Sequence, residues 1–162
     1  MTVSVLFVCL GNICRSPTAE GVMLHLIREE GYQDQIVVDS AGTASYHTGE
    51  KADQRSAQTA RKRGFDLPSR ARQFKIDDFA RFDYVLAMDD SNLASLRSLS
   101  GGEYDDKIHL LLDFDPDNPK GSNVPDPYYG GDRGFEHVLD LCTSACRRLL
   151  DFLVEEHELQ AE

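Results

Sequence analysis

Two spacings of apolar residues alternate along the chain. Short continuous apolar or β-branched runs, bounded by turn residues, predict strands at 3–9, 35–39, 83–88 and 107–112. Between them, apolar residues three and four apart predict helices at 16–30, 53–64, 90–98 and 132–156, with a short one at 76–82. The first helix gathers Ala19, Val22, Met23, Leu26 and Ile27 on one face. The last carries the clearest stripe, formed by Phe135, Val138, Leu139, Cys142, Ala145, Cys146, Leu149 and Leu153. Strands that alternate with helices predict an α/β domain with a parallel sheet covered on both faces. No linker, repeat or low-complexity segment interrupts residues 1–162, so one domain is expected. The polar tail 155–162 is expected to fray, from about 157 onward.

The first strand ends at Cys9, and the loop Leu10-Gly11-Asn12-Ile13-Cys14-Arg15 leads into Ser16-Pro17. Ser16 reads as a helix N-cap with Pro17 at the first helical position. The loop therefore joins the C-terminal end of a strand to the N-terminus of a helix. Open α/β sheets bind ligands there, and free N–H groups with the helix dipole favour an anion. A thiol in that cradle is favoured as the thiolate, the nucleophilic form. Six positions after Cys9, Arg15 supplies a planar fork that matches two phosphate oxygens. Gly11 allows close approach of the backbone to a ligand, and Asn12 tolerates left-handed backbone. A nucleophile and an oxyanion clamp in one loop point to covalent chemistry on a tetrahedral anion.

Two further loops follow predicted strand ends. Residues 40–52 carry small side chains with one aromatic, Tyr46, and are expected to be exposed. Residues 113–131 are rich in Asp, Pro, Gly and Asn and long for a compact domain, which marks them as functional. Within them, Pro125 and Pro127 hold Asp126 in a stiff, extended segment suited to proton transfer.

Cys-x5-Arg-Ser is the signature loop of cysteine phosphatases. The fuller run Val8-Cys9-Leu10-Gly11-Asn12-Ile13-Cys14-Arg15-Ser16-Pro17 resembles that of the low-molecular-weight protein tyrosine phosphatases. Asp126-Pro127-Tyr128-Tyr129-Gly130 is similar to that family's acid motif, and Asp39-Ser40, Ala71-Arg72-Gln73 and Met88-Asp89 resemble family segments in order. The resemblance covers essentially the whole chain and implies a doubly wound four-stranded sheet. It implies hydrolysis of phosphotyrosine in proteins, with Cys9 as nucleophile, Arg15 as phosphate clamp and Asp126 as general acid and base. Leu10 to Ser16 would bind phosphate, and Ser16 would hydrogen-bond the thiolate. Asn12 and Ser40 would brace the loop, and Tyr46, Tyr128 and Tyr129 would flank the substrate ring. Cys14, five residues from Cys9, is expected to form a reversible disulfide with it. No cofactor and no metal is implied, and inorganic phosphate or its analogues are expected as inhibitors. Some members carry a His before the Ala-Arg-Gln segment that braces the loop Asn; here Ser69-Arg70 stands instead.

Composition narrows the rest. Four cysteines without a CxxC or Cys/His metal pattern suit a reduced, cytoplasmic protein. A formal net charge of −11 argues against nucleic acid and anionic membranes as partners. No apolar run approaches the ~18 residues of a membrane span. A monomer or weak dimer is expected. Cys142 and Cys146 lie in the helix stripe and read as core. The histidines His25, His47, His109, His137 and His157 show no ligand spacing and receive no chemistry. Three rival functions lack their residues in this sequence. Arsenate reductases on this fold use further cysteines beyond the third strand, and 83–100 contains none. Phosphoarginine phosphatases carry a hydroxyl residue at the position of Ile13, which offers a guanidinium no acceptor. A nucleotide-binding module would need GxxxxGK[ST] or GxGxxG, and neither occurs.

Overall fold

A computed structural model describes residues 2–128 and 131–162, the side chain of Asp132 excepted. The elements run β1 (Val3–Cys9), α1 (Arg15–Glu30), β2 (Ile36–Gly42), α2 (Gln54–Lys62), α3 (Asp77–Arg81), β3 (Tyr84–Ala87), α4 (Asp90–Ser100), β4 (Ile108–Leu110) and α5 (Asp132–Glu156). The four strands form one sheet in the order β2-β1-β3-β4, and every pairing is parallel. Parallel strands need crossovers, which the helices supply, so both faces of the sheet are covered.

Alternation along β1 divides the core. Val3, Val5, Phe7 and Cys9 point to the face where α1 and α5 pack, among Val22, Met23, Leu139, Cys142 and Leu149. Leu6 and Val8 point to the opposite face and meet Phe79, Phe82 and Leu96. All eight stripe residues of α5, Phe135 through Leu153, are buried. β1 is flanked by β2 on one side and β3 on the other. Its C-terminal end is therefore the point at which the winding of the sheet reverses, the crevice where such sheets hold ligands.

Three expectations are corrected. Ser16 is not the N-cap: α1 begins at Arg15 after Cys14, with no side-chain cap, because the Ser16 hydroxyl is engaged elsewhere. Residues 40–42 are not loop but the end of β2, in register with Phe7, Val8 and Cys9. Ser40 and Ala41 are buried, and a Cβ on Gly42 would lie 2.7 Å from the Leu10 carbonyl oxygen. The tail does not fray. Leu159, the single large apolar residue after the helix, is buried against the core, and the Glu162 N–H donates to the Gly31 carbonyl at 3.0 Å. Gln35 closes a further pair with Gln160.

Candidate active site

The loop after β1 turns because Asn12 adopts left-handed backbone, φ +58°. Asn and Asp are the non-glycine residues that tolerate this best. The turn aims the Asn12 N–H at the Cys9 sulfur, 3.3 Å away. It also buries the Asn12 side chain, which is hydrogen-bonded at both ends. Nδ2 donates to Ser16 Oγ at 2.8 Å and to Ser40 Oγ at 2.9 Å, and Oδ1 accepts from the Arg72 N–H at 3.0 Å.

These bonds set the direction of the neighbouring hydroxyls. Ser40 Oγ donates to Glu20 Oε1 at 2.6 Å, so its lone pairs are left for Asn12. Ser16 Oγ accepts from Asn12 and lies 3.0 Å from Cys9 Sγ, a bond in which Ser16 is the donor whenever the sulfur is a thiolate. A thiolate at Cys9 thus receives one backbone and one hydroxyl donor, beside the N-terminus of α1, whose first N–H groups lack intrahelical partners. Glu20 is buried, and that burial raises its pKa against hydrogen bonds from Ser40 and Ser69 that lower it. Ser69 thereby joins the network that braces Asn12.

Arg15 is buried, with 4% of its side chain exposed, and is held from the far side of the sheet. Nη1 donates to Asp89 Oδ2 at 2.5 Å and to the Val124 carbonyl at 3.0 Å. Asp89 also caps α4 by accepting from the Asn92 N–H. Burial acts to lower the Arg15 pKa, but Cys9, Asp89 and Asp126 outweigh it and raise it. Asp126 Oδ2 lies 3.8 Å from Arg15 Nη2, and Asp126 Oδ1 accepts from the Tyr128 N–H at 3.0 Å. The Val124 N–H donates to the Met88 carbonyl, which ties the Asp126 segment to the end of β3.

A pocket of about 120 Å³ opens above the sulfur. Cys9, Leu10, Gly11, Ile13, Cys14 and Arg15 form its floor, and Tyr46, His47, Asp126 and Tyr128 form its rim. Asn12, Ser16 and Ser40 lie behind the loop as buried supports. Tyr129 lies outside the described residues. Two members escaped the sequence reading. Asp89 carried only a segment resemblance, and its pairing with Arg15 spans 74 positions. His47 had no ligand spacing, yet its ring stands against Gly11, where an added Cβ would lie 3.0 Å from it, and Glu50 holds its Nδ1 at 2.8 Å. Its neighbour Tyr46 was the available signal. Among the described residues, no group of three or more His, Cys, Asp or Glu could hold a metal ion, and no helix is long and apolar enough to cross a membrane.

The family model for low molecular weight phosphotyrosine protein phosphatases matches residues 4–161. The chain belongs to this family. It is 45% identical to the mouse low molecular weight phosphotyrosine protein phosphatase, over 91% of this chain and 94% of the relative. The crystal structure of the protein tyrosine phosphatase from Entamoeba histolytica, with Hepes in its active site, matches at a TM-score of 0.90 and 42% identity, covering 98% of this chain and all of that one. A drosophila arginine phosphatase is more distant, with 31% identity and a TM-score of 0.83 over 98% and 99% of the chains. The protein is thus a protein tyrosine phosphatase of the low-molecular-weight family.

In this phosphatase the left-handed turn and the amide bonds of Asn12 make separable contributions. Asn12→Ala should cost about 2–4 kcal/mol, the sum of backbone strain and unpaired buried partners. Asn12→Gly removes the strain but not the lost bonds, and should recover about 1 kcal/mol of that loss. Urea denaturation compares the two. Equal stabilities would show that the positive φ carries no cost.

Proposed function

We propose that this phosphatase hydrolyses phosphotyrosine in proteins through a phosphocysteine on Cys9, without a metal. The observation that carries the reading is the convergence of Cys9, Arg15 and Asp126 on one pocket rimmed by tyrosines. In the first step sulfur attacks phosphorus, the S–P bond forms and the aryl P–O bond breaks. Asp126 gives its proton to the leaving phenolate. In the second step water attacks phosphorus, Asp126 takes its proton, and the S–P bond breaks to release inorganic phosphate. Ser16 stabilises the departing thiolate through the contact it already makes. Arg15 and the loop N–H groups supply the charge stabilisation that a metal supplies in other phosphatases. Because Asp89 and Val124 hold one end of the guanidinium, Nη2 remains available on the Asp126 side for a phosphate oxygen. Apolar Ile13 on the floor and Tyr46 and Tyr128 on the rim favour an aryl ring over a guanidinium. Inorganic phosphate, as product, should compete for the loop.

Removal of the acid tests the assignment. Asp126→Ala should slow phenyl phosphate hydrolysis by roughly 10²–10⁴. The loss for p-nitrophenyl phosphate should be smaller, because nitrophenolate departs with little help. Equal losses would remove Asp126 from the donor role. Wild-type protein should prefer a phosphotyrosyl over a phosphoarginyl peptide of the same sequence, and the reverse preference would overturn the substrate assignment.

Redox regulation follows from the same loop. Peroxide oxidises the Cys9 thiolate to a sulfenic acid, and the Cys14 thiol condenses with it, forming the disulfide and releasing water. Burial, with Asp53 close by, pushes the Cys14 thiol up to about 12, so Cys14 is itself a poor target for peroxide. Wild type inactivated with peroxide should regain activity with dithiothreitol, and Cys14→Ser should regain much less. Since the attacking form of Cys14 is its thiolate, disulfide closure should accelerate as pH rises from 7 to 9. Full recovery of Cys14→Ser would return Cys14 to a packing role.

A further inference from the structure

A second concavity, of about 530 Å³, includes Lys51, four residues after His47 of the active-site rim. Its walls carry Lys51, Arg61 and Arg70 over a base that includes Ala57, Leu67 and Pro68, and among the described residues no acidic side chain lines it. Among the described residues these three cations hold no carboxylate, in a chain with 28 acidic residues against 17 basic ones. The arginines around them behave differently: Arg55 pairs with Asp53, Arg63 with Glu136 and Asp140, and Arg72 with Asp39 and Asp78.

The backbone forces two of the charges together. Lys51 and Arg70 face each other directly across an antiparallel bridge. That bridge is pinned by the Gly49 N–H on the Ala71 carbonyl and the Ala71 N–H on the Glu50 carbonyl, both 2.8 Å. Arg70 Nη1 donates to the Gly49 carbonyl at 3.0 Å, which holds the guanidinium in place. Like charges directly opposite on one face of a β pair repel, and an anion between them relieves the repulsion. Arg61, in the last turn of α2, adds a third positive group to the same hollow.

A short stretch of chain links the hollow to the substrate pocket. Lys51 follows His47, on the pocket rim, by four residues, a span of at most about 14 Å of extended chain. We propose that this basic hollow docks acidic side chains of the substrate polypeptide, within about five residues of the phosphotyrosine. The proposal rests on the reading of phosphotyrosyl proteins as substrates. It makes the hollow a specificity site that adds to kcat/KM through binding and leaves the chemical step untouched. Against a net charge of −11, it also gives acidic substrates a local landing place.

Three phosphotyrosyl peptides of equal length test it: one with glutamates before the phosphotyrosine, one with glutamates after it, and one with glutamines throughout. In low salt, one acidic peptide should exceed the glutamine peptide in kcat/KM by about tenfold, as two or three exposed ion pairs allow. The advantage should shrink in 0.5 M salt. Lys51→Gln with Arg70→Gln should abolish it while leaving p-nitrophenyl phosphate and the glutamine peptide unchanged. That double variant should unfold at the same or higher urea concentration than wild type. Equal kcat/KM for acidic and glutamine peptides, or an advantage that survives the double variant, would overturn the proposal. Turnover of p-nitrophenyl phosphate with no turnover of the glutamine peptide would overturn the phosphotyrosine reading, and the docking role with it.

Discussion

The amide of Asn12 is the point on which the site depends. Its backbone takes a conformation that few side chains accept, and its buried head group is bonded to Ser16, Ser40 and the Arg72 N–H. Through these bonds one residue joins β1, α1, β2 and the 70–73 segment. It also occupies a lone pair on each of two serine hydroxyls, and leaves the Ser16 proton available to a thiolate at Cys9. The donors to the sulfur are in place in the fold itself, the arrangement of a preorganised electrostatic site.

Arg15 shows the same economy with charge. A buried guanidinium is costly to desolvate and is tolerated only when paired and hydrogen-bonded. Asp89 and the Val124 carbonyl satisfy one end, and the other faces the pocket. Because Asp89 also caps α4, Arg15 is attached to the far face of the sheet. The positive site is a local feature in a protein of net charge −11. At physiological salt, charges farther than about 8 Å apart are largely screened, so a phosphate in the pocket responds chiefly to its immediate donors.

Much of this arrangement was legible in the sequence. The parallel, helix-covered sheet followed from the alternation of spacings, and the α5 stripe is buried as read. Cys9, Arg15 and Asp126 were singled out from local pattern and resemblance, and the structure brings them to one pocket. What was not legible depended on distance or on competition. The Arg15–Asp89 pair joins positions 74 apart, and no local pattern announces it. Ser16 has the composition of a cap, but Cys9 and Asn12 take its hydroxyl instead. β2 runs on to Gly42 because pairing with β1 and the closeness of the Leu10 carbonyl favour small residues there, which by composition alone resemble a loop. The polar tail is tied down by one leucine, whose burial no periodicity signals.

The central claim is that phosphorus is transferred to sulfur before it reaches water. The most direct measurement is a rapid denaturing quench of the protein during turnover of a ³²P-labelled aryl phosphate, followed by peptide mapping. The account predicts label on the peptide that contains Cys9, carried as a thiophosphate. Turnover with no label on Cys9, or with label on another residue, would contradict it.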